Sequence, residues 1–130
     1  MAVSCSKIGS MKTKTLIIGA STNPDRYAYK AAQRLLEHGY EIYLLGAKRG
    51  LLFDYTIEIE PHAYVDVDTV TLYIGVANQP GYYDYILSLK PRRVIFNPGT
   101  ENQDFETLLR SNGIEPVEAC TLVLLSIGAY

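Results

Sequence analysis

The sequence predicts an α/β protein, a three-layer, doubly wound, Rossmann-like fold around a mostly parallel sheet. Three observations predict it. Short apolar, β-rich runs alternate with amphipathic helical stretches, the pattern of parallel strands joined by crossover helices. The first strand, helix and strand follow one another closely enough to form a single βαβ unit. Loops rich in Gly, Asn, Pro, Ser and Thr follow the apolar strands, where such sheets place their ligand crevice.

Each element has its own signal. Thr15-Leu16-Ile17-Ile18 is the apolar run of a strand buried on both faces. From Tyr27 to His38, apolar residues recur at Tyr27, Ala28, Ala31, Ala32, Leu35 and Leu36. That spacing predicts a helix, with Lys30, Gln33, Arg34 and Glu37 facing water. Gly39 ends it in the left-handed conformation that glycine tolerates. Glu41–Leu45 reads as the second strand and Thr56–Ile59 as a short edge strand. Thr69–Ile74 is a clear strand, followed by a helix from Gln79 to Leu89. Arg93–Phe96 is a further buried strand, and Glu101–Asn112 a helix with Phe105, Leu108 and Leu109 on its apolar face. Ile114–Glu118 is the last strand and Thr121–Ile127 a closing apolar helix. Right-handed crossovers between these strands lead to the doubly wound topology.

The chain has 130 residues, enough for one domain with a real hydrophobic core. That domain is expected over residues 12–130, after a flexible N-terminal extension of residues 1–11. A formal net charge of −2 lacks the basic excess of a nucleic-acid binder. No apolar run reaches the roughly 18 residues of a membrane span. The first ten residues also lack the apolar core of a signal peptide. Of the two cysteines, Cys5 falls in the extension, and a reduced, cytoplasmic protein is expected rather than one with a disulfide between Cys5 and Cys120.

Four loops should converge at the carboxyl ends of the strands: 19–26, 46–50, 75–80 and 97–102. In the first, Gly19 permits a turn, and Ala20 and Ser21 are small enough for phosphate oxygens to approach the backbone. Ser21 and Thr22 add hydroxyls, and Arg26 a positive charge near a helix start. The competing reading is a plain turn, with Asn23 capping the helix and Pro24 in its first position. A dinucleotide loop would carry three glycines, and here Gly19 stands alone.

The second loop discriminates further. An NAD site expects an acid after the second strand, to hold the ribose diol. Here Gly46-Ala47-Lys48-Arg49-Gly50 supplies two adjacent cations and no acid. The pair is either a solvated turn or a site for a phosphorylated ribose, and its place in the fold favours the phosphate. NADP and coenzyme A both carry that phosphate. Cys120, between strand and helix, is either a buried inert thiol or a thiolate at a helix N-terminus. His38 and His62 have the settings of surface or loop residues, and no metal-ligand spacing occurs. Tyr27, Tyr29, Tyr82, Tyr83 and Tyr85 read as half-buried helix positions, one of which can cover a ligand ring.

Gly19-Ala20-Ser21-Thr22-Asn23-Pro24, then Arg26-Tyr27-Ala28-Tyr29 and Gly39-Tyr40-Glu41-Ile42, resembles the opening of the stand-alone CoA-binding proteins. These are small relatives of the N-terminal domain of the succinyl-CoA synthetase alpha subunit. The likeness continues through Asp68–Tyr73, Phe96-Asn97-Pro98-Gly99 and Ala119-Cys120-Thr121. It implies a five-stranded parallel core that binds coenzyme A or an acyl-CoA. The first loop, with Tyr27, would face the CoA phosphates, and Lys48 and Arg49 the adenosine end. Val76, Asn78 and Gln79 would lie beside the nucleotide or pantetheine arm. Asn97, Pro98 and Gly99 would line the crevice toward the thiol.

Two departures stand out. Many relatives end the second strand in a Val-Asn-Pro-like turn, where this chain has Leu45-Gly46-Ala47-Lys48-Arg49. The synthetase also transfers phosphate through a histidine in a second domain, so ligase activity does not carry over. The expected function is a non-catalytic carrier, sensor or accessory protein whose partner is a small nucleotide ligand. The alternatives are a small NADP-linked or acyl-CoA-handling enzyme, the latter using Cys120, and an interaction domain that has lost its ligand.

Overall fold

A computed structural model describes residues 13–130. The expected extension over residues 1–11, with Cys5, lies outside the described residues. Seven strands form one sheet: β1 (Lys14–Ala20), β2 (Glu41–Gly46), β3 (Gly50–Leu52), β4 (Tyr55–Glu58), β5 (Val67–Leu72), β6 (Arg93–Phe96) and β7 (Glu115–Glu118). The helices are α1 (Tyr27–Glu37), α2 (Tyr83–Leu89), α3 (Gln103–Ser111) and α4 (Thr121–Ser126).

The expected five-stranded parallel sheet is therefore corrected. The strand order is β3-β4-β2-β1-β5-β6-β7. Neighbours run parallel from β4 to β7, and β3 pairs antiparallel with β4. The sheet is mixed because residues 50–58 fold as a hairpin, so the segment read as an edge strand is flanked on both sides. Phe53 and Asp54 make its two-residue turn with φ of 51° and 68°. Such turns normally announce themselves by Asn-Gly or Asp-Gly, a signal missing here. The Phe53 ring packs 5.0 Å from that of Tyr29 on α1, tying the hairpin to the body of the protein.

From Leu16 to Ile18 side chains leave β1 alternately to two cores, as the strand period requires, and a register irregularity between Ile18 and Ala20 turns Ala20 to the same core as Ile17. Leu16 and Ile18 join Ile86 and Leu89 of α2 and Phe105 and Leu109 of α3. Ile17 and Ala20 join Ala28, Ala32 and Leu35 of α1 and Leu125 of α4. Each fully buried Leu, Ile or Phe contributes about 1.5–3 kcal/mol through its removal from water. Helices thus cover both faces of the sheet.

Helix ends follow local chemistry. At the end of α1, Gly39 adopts a φ of +85°. The Gly39 N–H donates to the Leu36 carbonyl at 3.0 Å and the Tyr40 N–H to that of Leu35 at 2.9 Å, a Schellman closure. Asn102 caps α3, its Oδ1 accepting the Phe105 N–H at 3.1 Å. The single helix expected over 79–89 is broken: 3-10 turns at Val76–Asn78 and Pro80–Tyr82 precede α2. Pro80 has no N–H to continue a helical ladder from the first turn into the second. Among the described residues no helix is long and apolar enough to cross a membrane.

Candidate functional site

The carboxyl ends of β1, β2 and β5 open onto one cleft of about 820 Å³, within the size range of small-molecule sites. Two glycines allow the loops to meet there. Gly19 has a φ of +101°, and a Cβ on it would stand 2.8 Å from the carbonyl oxygen of Tyr73. A Cβ on Gly46 would collide with the carbonyl oxygen of Ala20. Any other side chain at either position would push the strand ends apart.

The first wall is residues 19–23 with Arg26 and Ala28. The Ser21 Oγ accepts the Asn23 N–H at 3.0 Å, and the Asn23 Oδ1 accepts the Asp25 N–H at 2.9 Å. Asn23 therefore makes a local turn and does not cap α1, and Pro24 is not its first residue. The N-cap is Arg26, which makes no side-chain capping bond. The first-turn N–H groups of α1 thus lack a side-chain acceptor beside a cationic wall, a setting that favours an anion.

Residues 46–49 form the second wall. Lys48 and Arg49 are both exposed. The loop itself carries no acid, and the tertiary structure brings one to Arg49 from another strand. Arg49 Nη1 donates to Glu58 Oε1 at 2.8 Å, and His62 Nε2 lies 3.6 Å from the same oxygen. Glu58 comes from the neighbouring strand, where it stands in register with Leu45 at the end of β2.

Tyr73, Ile74, Asn78 and Tyr82 complete the cleft. Burial pushes the Tyr73 phenol up to about 12, so it is neutral across the physiological range. Its hydroxyl is buried without a hydrogen-bond partner. Tyr82 is the one tyrosine of the five named above that lines the cleft. Among the others, Tyr83 stacks on Phe105 at 4.2 Å and Tyr85 donates to the carbonyl of His62.

Nine sequence-predicted residues share this cleft: Gly19, Ala20, Ser21, Thr22, Asn23, Arg26, Lys48, Arg49 and Asn78. The other seven do not line it. Pro24, Tyr27, Val76, Pro98 and Gly99 are exposed outside it, Tyr27 with Lys30 Nζ 5.3 Å from its ring centroid. Gln79 is buried, donating to the carbonyls of Ile74 and Thr100 and accepting from Asn102 Nδ2. Asn97 is buried too. Its Nδ2 donates to Thr71 Oγ1 at 2.6 Å and to the Leu72 carbonyl at 2.8 Å, and its Oδ1 accepts the Thr121 N–H. Gln79 thus spends its hydrogen bonds tying loops to one another, and Asn97 ties the end of β6 to β5 and the start of α4. Cys120, half-buried, is the N-cap of α4 and is not a lining residue.

Sequence reasoning missed Tyr73 and Ile74, which it assigned to the strand itself. β5 ends two residues earlier than the apolar run does, at Leu72, and the run carries on into the crevice. Glu58 was missed because its approach to Arg49 depends on the β3–β4 hairpin.

Cations, hydroxyls and backbone N–H groups around small residues constitute an anion-binding chemistry. No curated protein matches the chain. Among solved structures, one described as an uncharacterized protein is 55% identical, with a TM-score of 0.89 over 93% of this chain and 99% of that one. A Thermus thermophilus protein is 21% identical, with a TM-score of 0.76 over 98% of each chain. A hypothetical protein from Pyrococcus horikoshii is 21% identical, with a TM-score of 0.76 over 95% of this chain and 88% of that one. The last two likenesses concern the fold alone. Residues 13–126 match the family described as the CoA binding domain. With that match covering most of its length, the chain belongs to the CoA binding domain family.

Proposed function

We propose that the cleft binds coenzyme A or an acyl-CoA and that the protein works as a non-catalytic cytoplasmic carrier, sensor or accessory protein. The observation that carries this reading is the convergence of the β1–α1 loop and the Lys48–Arg49 pair on one cleft, in a chain of the CoA binding domain family. The donor set fits the ligand. Ala20 and Ser21 leave room for the pyrophosphate against the backbone, and Arg26 and the start of α1 offset its charge. Lys48, which has no ion-pair partner among the described residues, and Arg49 are suited to the phosphate on the adenosine ribose. Tyr82 offers a ring surface at the rim.

Titration calorimetry with CoA, dephospho-CoA and NADP tests the reading. CoA should bind more tightly than dephospho-CoA, because only CoA offers a phosphate to the basic pair. NADP tighter than CoA would instead favour an NADP-linked protein. No binding of any of the three would leave a ligand-free interaction domain. Native mass spectrometry of the freshly purified protein should find a retained mass of CoA or an acyl-CoA.

A further inference from the structure

Glu58 Oε1 is the meeting point of an arginine and a histidine: Arg49 Nη1 lies at 2.8 Å and His62 Nε2 at 3.6 Å. Arg49 belongs to the cleft, whereas Glu58 and His62 line a separate cavity of about 470 Å³ along β2 and β4. Other charged and titratable groups on that cavity are Lys14, Glu41, Tyr43, Tyr55 and Tyr64. Lys14 is already engaged by the Tyr43 hydroxyl at 3.3 Å and Glu41 at 3.6 Å. Among the described residues, Arg49 is the permanent cation paired with Glu58. The Glu58 side chain is only 26% exposed, so its charge is not lost in bulk water.

We propose that Glu58 determines the ligand selectivity of the adenosine end by holding Arg49 back from a bound phosphate. This rests on the CoA reading of the cleft and deepens it. The basic pair presents one readily available cation, Lys48, and one restrained cation, Arg49. A phosphorylated ribose must draw the guanidinium away from Glu58, or share it, before both cations serve the ligand. Glu58 thereby reduces the preference for phosphorylated over unphosphorylated adenosine below what two free cations would give. It acts through Arg49 and is a positioning residue.

The test is the ratio of dephospho-CoA Kd to CoA Kd in wild type, Glu58→Gln, Glu58→Asp, Arg49→Ala and the Arg49→Ala/Glu58→Gln double variant. Glu58→Gln should raise the ratio by about two- to fivefold, the scale of one exposed ion pair. Glu58→Asp, which keeps the charge but is one methylene shorter, should raise it less. In the Arg49→Ala background, Glu58→Gln should leave the ratio where Arg49→Ala alone puts it. Nitrogen NMR of the Arg49 Nε should shift on adding CoA to wild type and be displaced in advance in Glu58→Gln. A ratio that falls or stays put in Glu58→Gln overturns the proposal, as does a rise that persists without Arg49. A wild type that binds neither ligand overturns the cleft reading and the proposal together, whereas CoA binding with an unmoved ratio overturns the proposal alone.

Discussion

Gly19 and Tyr73 are in backbone contact: a Cβ added to Gly19 would lie 2.8 Å from the Tyr73 carbonyl oxygen and 3.1 Å from Ile74 Cγ2. The same residues line the cleft. One glycine therefore sets both the turn out of β1 and the distance between the first loop and the end of β5. The β1–α1 loop carries a single glycine, and it stands where the backbone of the neighbouring strand end leaves no room for a side chain.

Gly19→Ala combines an unfavourable positive φ with a backbone clash, and should destabilise by about 2–4 kcal/mol. Gly81→Ala is the control, since a Cβ there meets nothing within 4 Å. It should stay within about 0.5 kcal/mol of wild type. Urea denaturation midpoints with unchanged slopes would check both.

Asn97→Ala should behave as a stability variant. It deprives the Leu72 carbonyl and the Thr121 N–H of their side-chain partner and should cost about 2–4 kcal/mol. The loss should exceed any change in CoA binding energy measured well below the melting temperature. The reverse order would return Asn97 to the ligand.

Replacing Lys48 and Arg49 together by Ala should weaken CoA binding by about 1–3 kcal/mol, the scale of charge-assisted phosphate contacts. Dephospho-CoA should lose much less. Because Glu58 restrains Arg49, Lys48→Ala alone should cost more than Arg49→Ala alone. Calorimetry at fixed salt reads all three.

Glu106 gives a pH prediction. Only 5% exposed, it is held above the usual carboxylate range first by burial and then by the neighbouring Glu118 carboxyl. A raised carboxyl pKa stabilises the fold fully below the unfolded value, and that contribution is lost as pH rises through the folded value. Glu106→Gln keeps an acceptor for the Asn102 N–H and carries no charge. It should raise the melting temperature at pH 7–8 and give no gain at pH 4. Thermal melts across that range would show a gain growing with pH, and a gain shrinking with pH would reverse the assigned sign.

Much of the architecture was legible because its signals are local. The spacing of Ala28, Ala31, Ala32 and Leu35 forms one face within α1 itself, and all four are buried. Arg93–Phe96 and Thr121 mark element boundaries that the apolar pattern alone locates. The convergence of 19–23, 26 and 48–49 on one cleft follows from strand direction, because successive parallel strands deliver their carboxyl ends to the same edge.

The hairpin, the direction of the buried amides and the partner of Arg49 were decided by tertiary structure. Phe53 and Asp54 accept positive φ without a glycine signal, and the Tyr29–Phe53 contact that accompanies the turn joins residues far apart in sequence. Gln79 and Asn97 look like loop ligands in one dimension. In three they turn inward, where carbonyls and N–H groups would otherwise be buried without partners. The sequence by itself determined most of the strands and helices and a basic, small-residue crevice, since these depend on residues a few positions apart. Only the folded chain decided that β4 sets Glu58 against Arg49, because a charge acts through space and its nearest neighbour in space is fixed by strand pairing.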